Sequence, residues 1–246
     1  MSNRVETRNC GTHGDYQSRN YLGTVWTQCP ACSEEHDRER EAIEAERQRA
    51  KSVQNWTSKL GCAQIPHRFQ DKTLESFEVN TPPQMIAKGF AMAYVNDFNH
   101  ILRTGRSALF LGKPGTGKTH LAAAIALRIM QEQKRTALFT TILRAVRRVK
   151  ETWRRDSSMS ESEAIGSLVF PDLLVLDEVG VQFGTEAEKT ILFDVLNERY
   201  ERCKPCLLLS NLTAEEVRAY LGERIYDRLR ENGGSLVVFD WESHRA

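Results

Sequence analysis

No stretch of uncharged apolar residues in this 246-residue chain approaches the roughly 20 needed to span a bilayer. The opening residues Met1-Ser2-Asn3-Arg4-Val5-Glu6 lack the apolar centre of a secretion signal. An excess of one charge is missing too: 34 Lys and Arg stand against 33 Asp and Glu, for a net charge of +1. The molecule as a whole is therefore no polycation, and any nucleic-acid contact must come from a local patch. Internal repeats and low-complexity tracts are also missing. These absences lead to the expectation of a cytoplasmic protein with no membrane partner. Cysteines stay reduced in that compartment and more often bind metal than form disulfides. Apolar residues make up 40% of the chain, enough for one large domain with a small appendage.

The phosphate-binding pattern G-x-x-x-x-G-K-[ST] is present in full, as Gly112-Lys113-Pro114-Gly115-Thr116-Gly117-Lys118-Thr119. The apolar run Ala108-Leu109-Phe110-Leu111 precedes it as a strand, and His120-Leu121-Ala122-Ala123-Ala124-Ile125-Ala126 follows with a helical pattern. Glycines let the backbone curl so that successive N–H groups point at phosphates, and the positive end of the helix adds to that field. This spacing assigns Lys118 to the β- and γ-phosphates of ATP and Thr119 to Mg²⁺. A second run, Leu173-Leu174-Val175-Leu176-Asp177-Glu178, ends a buried strand in two carboxylates. Open α/β sheets bind ligands at that end of their strands. Asp177 is expected to orient Mg²⁺, and Glu178 to take the proton from the attacking water.

Three of the six cysteines crowd the first thirty-two residues. Cys10 and His13 form C-x-x-H, and Cys29 and Cys32 form C-x-x-C after a gap of fifteen residues. Two close pairs at such a separation have the spacing of a tetrahedral Zn²⁺ site, with a hairpin between them. Tyr16, Tyr21 and Trp26 are expected to cover the metal core. A segment this small buries too little to fold alone, and zinc supplies the missing stability. A redox role for Cys29 and Cys32 needs a βαβ context that the segment lacks. Cys203 and Cys206 have no second pair nearby and read as structural cysteines.

The charged stretch from Glu34 to Glu41, with a Glu34–Arg38 pair at i,i+4, reads as a solvated helical linker or a partner-docking arm. The expected divisions are a zinc module over 1–33, a helical linker over 34–65 and an ATPase domain over 66–246. Thr81-Pro82-Pro83 should precede a helix from Gln84 to about Arg103. Strands are expected over 108–111, 136–141, 173–176, 206–210 and 236–240, with helices over 118–133, 143–155, 186–201 and 214–220. The fold class is α/β, a five-stranded mainly parallel sheet flanked by helices.

Other polar residues fall near the expected site. Asn211, just past a buried strand, is placed either to position the lytic water or to cap the next helix, a task open to Thr213 as well. Gly222-Glu223-Arg224-Ile225-Tyr226-Asp227-Arg228 carries two arginines, either of which has the character to reach a neighbouring subunit's nucleotide. Arg245 lies beyond the last strand, where it can reach a phosphate in its own subunit. In the helix after the second strand, Arg144, Arg147 and Arg148 share one face, while Leu143, Val146, Lys150 and Trp153 fall near the other. Basic side chains on such a face track phosphates.

From about Arg68 to Arg245 the chain resembles the DnaC-type helicase loaders of the AAA+ superfamily. The phosphate loop through Ile125 and the run from Leu173 to Gln182 carry the likeness. The Gly222 to Arg228 motif and the ending Trp241-Glu242-Ser243-His244-Arg245 add to it. The resemblance implies an AAA+ P-loop core, with Asn211 as sensor 1, Arg228 as a trans-acting arginine finger and Arg245 as sensor 2. Arg224 becomes a second candidate for contacting a neighbour. The Arg144 helix takes the place of the family's initiator-specific helix, which contacts single-stranded DNA. The N-terminal module departs from that pattern and is similar to the zinc-bearing domains of other loaders and phage-encoded relatives. In loaders this part grips the replicative DNA helicase. The implied function is an ATP-dependent helicase loader that self-associates through its ATPase interface. An IstB-type transposition helper shares the core, and a zinc-containing adaptor with a vestigial ATPase is a rival of another kind. The zinc module and Val179-Gly180-Val181-Gln182 favour the loader over the helper, and intact Lys118, Thr119, Asp177 and Glu178 argue against the adaptor.

Overall fold

A computed structural model of the chain describes residues 4–21, 23, 25–180 and 185–244, with Tyr21 described by its backbone alone. The chain forms two compact units, Met1–Lys59 and Leu60–Ala246. In the first, β1 (Val5–Cys10) and β2 (Gly14–Tyr21) form an antiparallel hairpin, and β3 (Val25–Trp26) pairs with the far end of β2. The helix α1 (Pro30–Ala63) begins in this unit, and its last residues belong to the second. Cys29 is the one buried apolar side chain among the unit's described residues, beside the buried polar Ser18 and Asn20. So little apolar burial cannot by itself offset the entropy of ordering the chain.

The second unit is built on α2 (Pro82–Asn96), α3 (Phe98–Thr104), β4 (Ala108–Gly112), α4 (Lys118–Glu132), β5 (Ala137–Thr141) and α5 (Ile142–Glu151). It continues with α6 (Glu161–Val169), β6 (Leu173–Val179), α7 (Glu186–Glu201), β7 (Cys206–Ser210), α8 (Ala214–Leu221), α9 (Glu223–Arg230) and β8 (Ser235–Phe239). The five strands run in the order β5-β6-β7-β4-β8, and every pairing is parallel. The expected strands appear within two or three residues of their sequence-based ends. The apolar runs of β4, β5, β6 and β7 are buried on both faces, as parallel strands covered by helices require, whereas Val238 of the edge strand β8 is 52% exposed. On one face, side chains of β4, β6 and β7 pack with those of α5, α6, α7 and α9. On the other, an aromatic chain links Phe90, Phe110, Phe239 and Trp241 at centroid separations of 5.9, 5.0 and 4.9 Å.

Several expectations are corrected. The single helix foreseen from Gln84 to Arg103 is two helices, α2 and α3, broken where Asp97 leaves helical geometry at φ −95°, ψ 9°. The break lets Phe98 and Ile101 turn fully into the core, and burial outweighs helix continuity. The basic helix stops at Glu151 rather than Arg155, because the Thr152 hydroxyl bonds the Val149 carbonyl at 2.7 Å and the next turns tighten. Its buried stripe is Ile142, Ala145, Val146 and Val149, whereas Leu143 is only half-buried and Trp153 stays 53% exposed. The helix α6 has no counterpart in the sequence reading, although Ser160 and Glu163 form the capping box that starts it.

Arg199 is fully buried at the end of α7. It donates to the carbonyls of Leu168, Val169, Pro171, Asp172 and Pro205 and to the Cys206 sulfur, at 2.6–3.4 Å. These groups end α6 and precede β6 and β7, so one side chain gathers the entrances of two central strands. Replacing Arg199 with Met strands those carbonyls in the interior. The expected loss is about 3–5 kcal/mol, measured as a drop in the midpoint of urea unfolding.

Candidate functional site

The phosphate loop, residues 113–117, joins β4 to the N-terminus of α4. Two of its glycines are fixed by space. At Gly112 a Cβ would run into the backbone carbonyl of Phe239, and at Gly117, with φ +91°, it would meet the Phe77 ring at 2.6 Å. Thr116 is fully buried and donates to the Lys113 carbonyl at 2.8 Å. Lys118 is 6% exposed and donates from Nζ to the carbonyls of Gly112 and Lys113 at 2.6 and 2.7 Å, which folds it back over the loop.

The chain's last described segment lies across this loop. The Trp241 indole N–H donates to the Thr116 carbonyl at 3.0 Å, and the His244 backbone N–H donates to the Gly115 carbonyl at 3.0 Å. Phe77 stands edge-on to both His120 and His244. Arg245 follows His244 directly and lies outside the described residues, as do Val181 and Gln182 of the family-like run.

Thr119 and Asp177 are brought together: Thr119 Oγ1 donates to Asp177 Oδ2 at 3.1 Å, and Asp177 Oδ1 accepts from the Glu178 N–H at 2.8 Å. Burial raises the Asp177 pKa, against the opposing pull of the Glu178 N–H, the Thr119 hydroxyl and the Lys118 charge. The pairing of β6 with β7 slips here, so that Asp177 and Glu178 together oppose Leu209 alone, between the pairs Leu176–Leu208 and Val179–Ser210. Such a bulge re-aims side chains. Glu178 pays for it with a left-handed backbone, φ +61°, a strain of order 1–3 kcal/mol that clusters at working sites. Ser210 repairs the interrupted ladder by donating to the Val179 carbonyl at 2.6 Å.

Asn211 follows β7 one residue past the pair Leu111–Ser210, beside Gly112. The capping alternative falls to Thr213, whose hydroxyl accepts from the Glu216 N–H while Glu216 accepts from the Thr213 N–H at 2.8 Å. Asn211 is thereby left exposed and free of that duty.

Arg228 is not near its own loop. It lines a small cavity with Gly105, Ser107, Lys204 and Cys206, at the entrances of β4 and β7, while the loop sits at the exit of β4. Five strand residues separate those ends by about 16 Å. Arg224 lies over the Phe193 ring at 5.6 Å. On α5, Arg144 and Arg147 are exposed, while Arg148 is half-buried and bonded to Ser167 at 3.1 Å. Arg148 and Arg154 help line a cleft of about 620 Å³. Lys150 pairs with Glu188 at 2.9 Å.

In the first unit the side chains of Cys10, His13, Cys29 and Cys32 converge, with their donor atoms all within 4.8 Å of one another. Cys10 and His13 sit on the turn between β1 and β2, and Cys29 and Cys32 at the start of α1. Cys10 Sγ lies 3.4 Å from Cys32 Sγ, and His13 Nδ1 lies 3.7 and 3.3 Å from those sulfurs. A tetrahedral site with ordinary zinc bond lengths has edges of about 3.5–3.8 Å, so the donor set fits. His13 Nε2 lies 3.2 Å from Glu35 Oε1, the carboxylate that fixes a ligating imidazole from behind. Sequence reading passed over Glu35, although its place one helical turn after Cys32 carries the signal. Tyr16 and Trp26 are half-buried, with Arg8 stacked 4.2 Å from the Trp26 ring, and the Tyr21 side chain is outside the described residues.

The profile of a family described as IstB-like ATP binding protein matches residues 36–236. The replicative helicase loader DnaC of Escherichia coli K12 is 35% identical over 205 residues, 83% of this chain and 80% of that protein. DnaC of Buchnera aphidicola from Acyrthosiphon pisum is 30% identical over 186 residues, 76% of this chain and 74% of that one. A crystal structure of the DnaC helicase loader superposes with a TM-score of 0.63 at 21% identity, over 70% of this chain and 98% of that one, a likeness of fold.

Because burial disfavours the ionised form of Asp177 in the folded chain, its contribution to stability is present at acid pH and is lost as pH rises through its raised pKa. Asp177→Asn removes that penalty and keeps the size of the side chain. The expected outcome at neutral pH is a higher Tm for the nucleotide-free protein.

Proposed function

As the chain belongs to the IstB/DnaC family of AAA+ ATPases, we propose that it is an ATP-dependent loader that delivers a replicative DNA helicase onto single-stranded DNA. The observation that carries this reading is the 35% identity to a helicase loader across both the phosphate loop and the acids that Thr119 joins to it. The backbone N–H groups of the loop and Lys118 would cradle the phosphates of ATP at the positive end of α4. Thr119 and Asp177 would hold Mg²⁺, which when bound neutralises phosphate charge. Glu178 would accept the proton of the attacking water at its carboxylate, and Asn211 would orient that water. Arg245 would reach a phosphate from the same chain. Arg228, too far from its own loop, would reach that of a second copy, with Arg224 beside it.

The first unit would bind Zn²⁺ through Cys10, His13, Cys29 and Cys32, a set closed to further ligands and so structural. Zinc there adds the folding energy that one buried apolar side chain cannot. Divided as 1–33, 34–65 and 66–246, the chain would grip the helicase with its zinc module and hold single-stranded DNA on Arg144, Arg147 and Arg148. Nucleotide would act as a switch, assembling copies side by side when bound and releasing the helicase on hydrolysis.

Two measurements test this. Glu178→Gln should keep ATP binding while single-turnover hydrolysis falls by about 10²–10⁴. Mixed with the host's replicative helicase, the protein should give a complex of defined mass. That complex should disappear in Cys29→Ser/Cys32→Ser, a variant that also loses its one bound zinc by elemental analysis. A wild-type protein that forms no complex with or without ATP would transfer the reading to a transposition helper.

A further inference from the structure

Tyr200, the penultimate residue of α7, makes two contacts with the α9 region. Its ring lies beneath the Arg228 guanidinium, with Cζ 4.7 Å from the ring centroid. Its hydroxyl donates to Glu231 Oε2 at 2.6 Å. Glu231 follows Arg228 at i,i+3, the spacing at which a carboxylate ordinarily meets an arginine on a helical surface. Here it does not. Among the described residues Arg228 has no carboxylate partner, and its Nη1 is buried without an acceptor. An unsatisfied, buried guanidinium nitrogen is costly, and structures keep few of them without use. Arg228 and Tyr200 also line an open cleft of about 500 Å³ with Arg224, Arg230, Asp227 and Glu231.

We infer that Tyr200 is a positioning residue that keeps Arg228 available to a phosphate. Its hydroxyl detains Glu231, a carboxylate lining the same cleft as Arg228, while its ring supports one face of the guanidinium. A planar guanidinium stacked on an aromatic ring keeps its fork of N–H donors in one fixed plane. Because the phosphate loop of the same chain lies at the opposite end of β4, the anion that completes Arg228 belongs to the nucleotide of a second copy of this chain. The inference rests on the reading of Arg228 as a trans-acting finger.

The test uses the purified full chain and single-turnover ATP hydrolysis. Tyr200→Phe keeps the ring and frees Glu231. Hydrolysis should slow about fivefold, the worth of one exposed ion pair, with ATP affinity and urea midpoint unchanged. Adding Glu231→Gln should restore the wild-type rate, because the amide cannot neutralise Arg228. A merely structural Tyr200 would give no such rescue. In mixtures, Lys118→Ala protomers should reactivate Arg228→Ala protomers, and donors that also carry Tyr200→Phe should do so about fivefold less well. A wild-type rate in Tyr200→Phe, or failure of Glu231→Gln to restore it, overturns the role of Tyr200 while leaving the finger intact. Full activity in Arg228→Ala alone overturns the finger and the inference with it.

Discussion

The hydrogen bond from Thr119 to Asp177 joins the rim above β4 to β6 across the intervening β7. Thr119 lies in the first turn of the helix after β4, Asp177 lies near the end of β6, and β7 runs between those strands. Whatever follows β7 must therefore emerge between the phosphate loop and the acids, and Asn211 does. Three segments distant in sequence, near residues 117, 177 and 211, reach one edge because every strand points the same way. Parallel strands present all their C-terminal ends, and the N-termini of the following helices, along a single rim. The bulge at Asp177 and Glu178 and the strap of residues 241–244 across the loop refine that rim without creating it.

Charge inside the second unit is handled in three ways. Arg199 is buried and saturated, its donors spread over five carbonyls and a sulfur, so it works as a tie among strands and helices. Asp177 is buried and only partly compensated, and burial raises its pKa. Arg228 is left without a carboxylate although Glu231 is close, because Tyr200 holds that carboxylate. The first arrangement spends every donor on the fold, and the other two leave charge unspent at places where a ligand can complete it.

The first unit obeys a different logic. Its strands are short, its surface is mostly exposed, and its side chains converge on four metal-ligating atoms instead of an apolar core. The family profile matches from residue 36 onward, after those four side chains.

Much of this was legible beforehand. The phosphate loop, the five strands, the acids of the third of them and the grouping of Cys10, His13, Cys29 and Cys32 depend on local patterns, namely glycine spacing, apolar runs and paired cysteines. Local stereochemistry is written directly in such patterns. The break at Asp97 and the early end of α5 at Glu151 were not legible, because burial of Phe98 and a hydroxyl contact from Thr152 decided them over a strong helical periodicity. Strand order, the left-handed Glu178, and the meeting of Tyr200 with Arg228 and Glu231 were likewise hidden. The sequence by itself determined which residues have the chemistry to bind phosphate, metal and water. Only the tertiary structure decided which of them face one another and which arginine is too far from its own nucleotide site. The reason is physical: the chemistry of a side chain is a local property, whereas its neighbours are set by the packing of a whole sheet, in which contacts between residues far apart in sequence outweigh local preference.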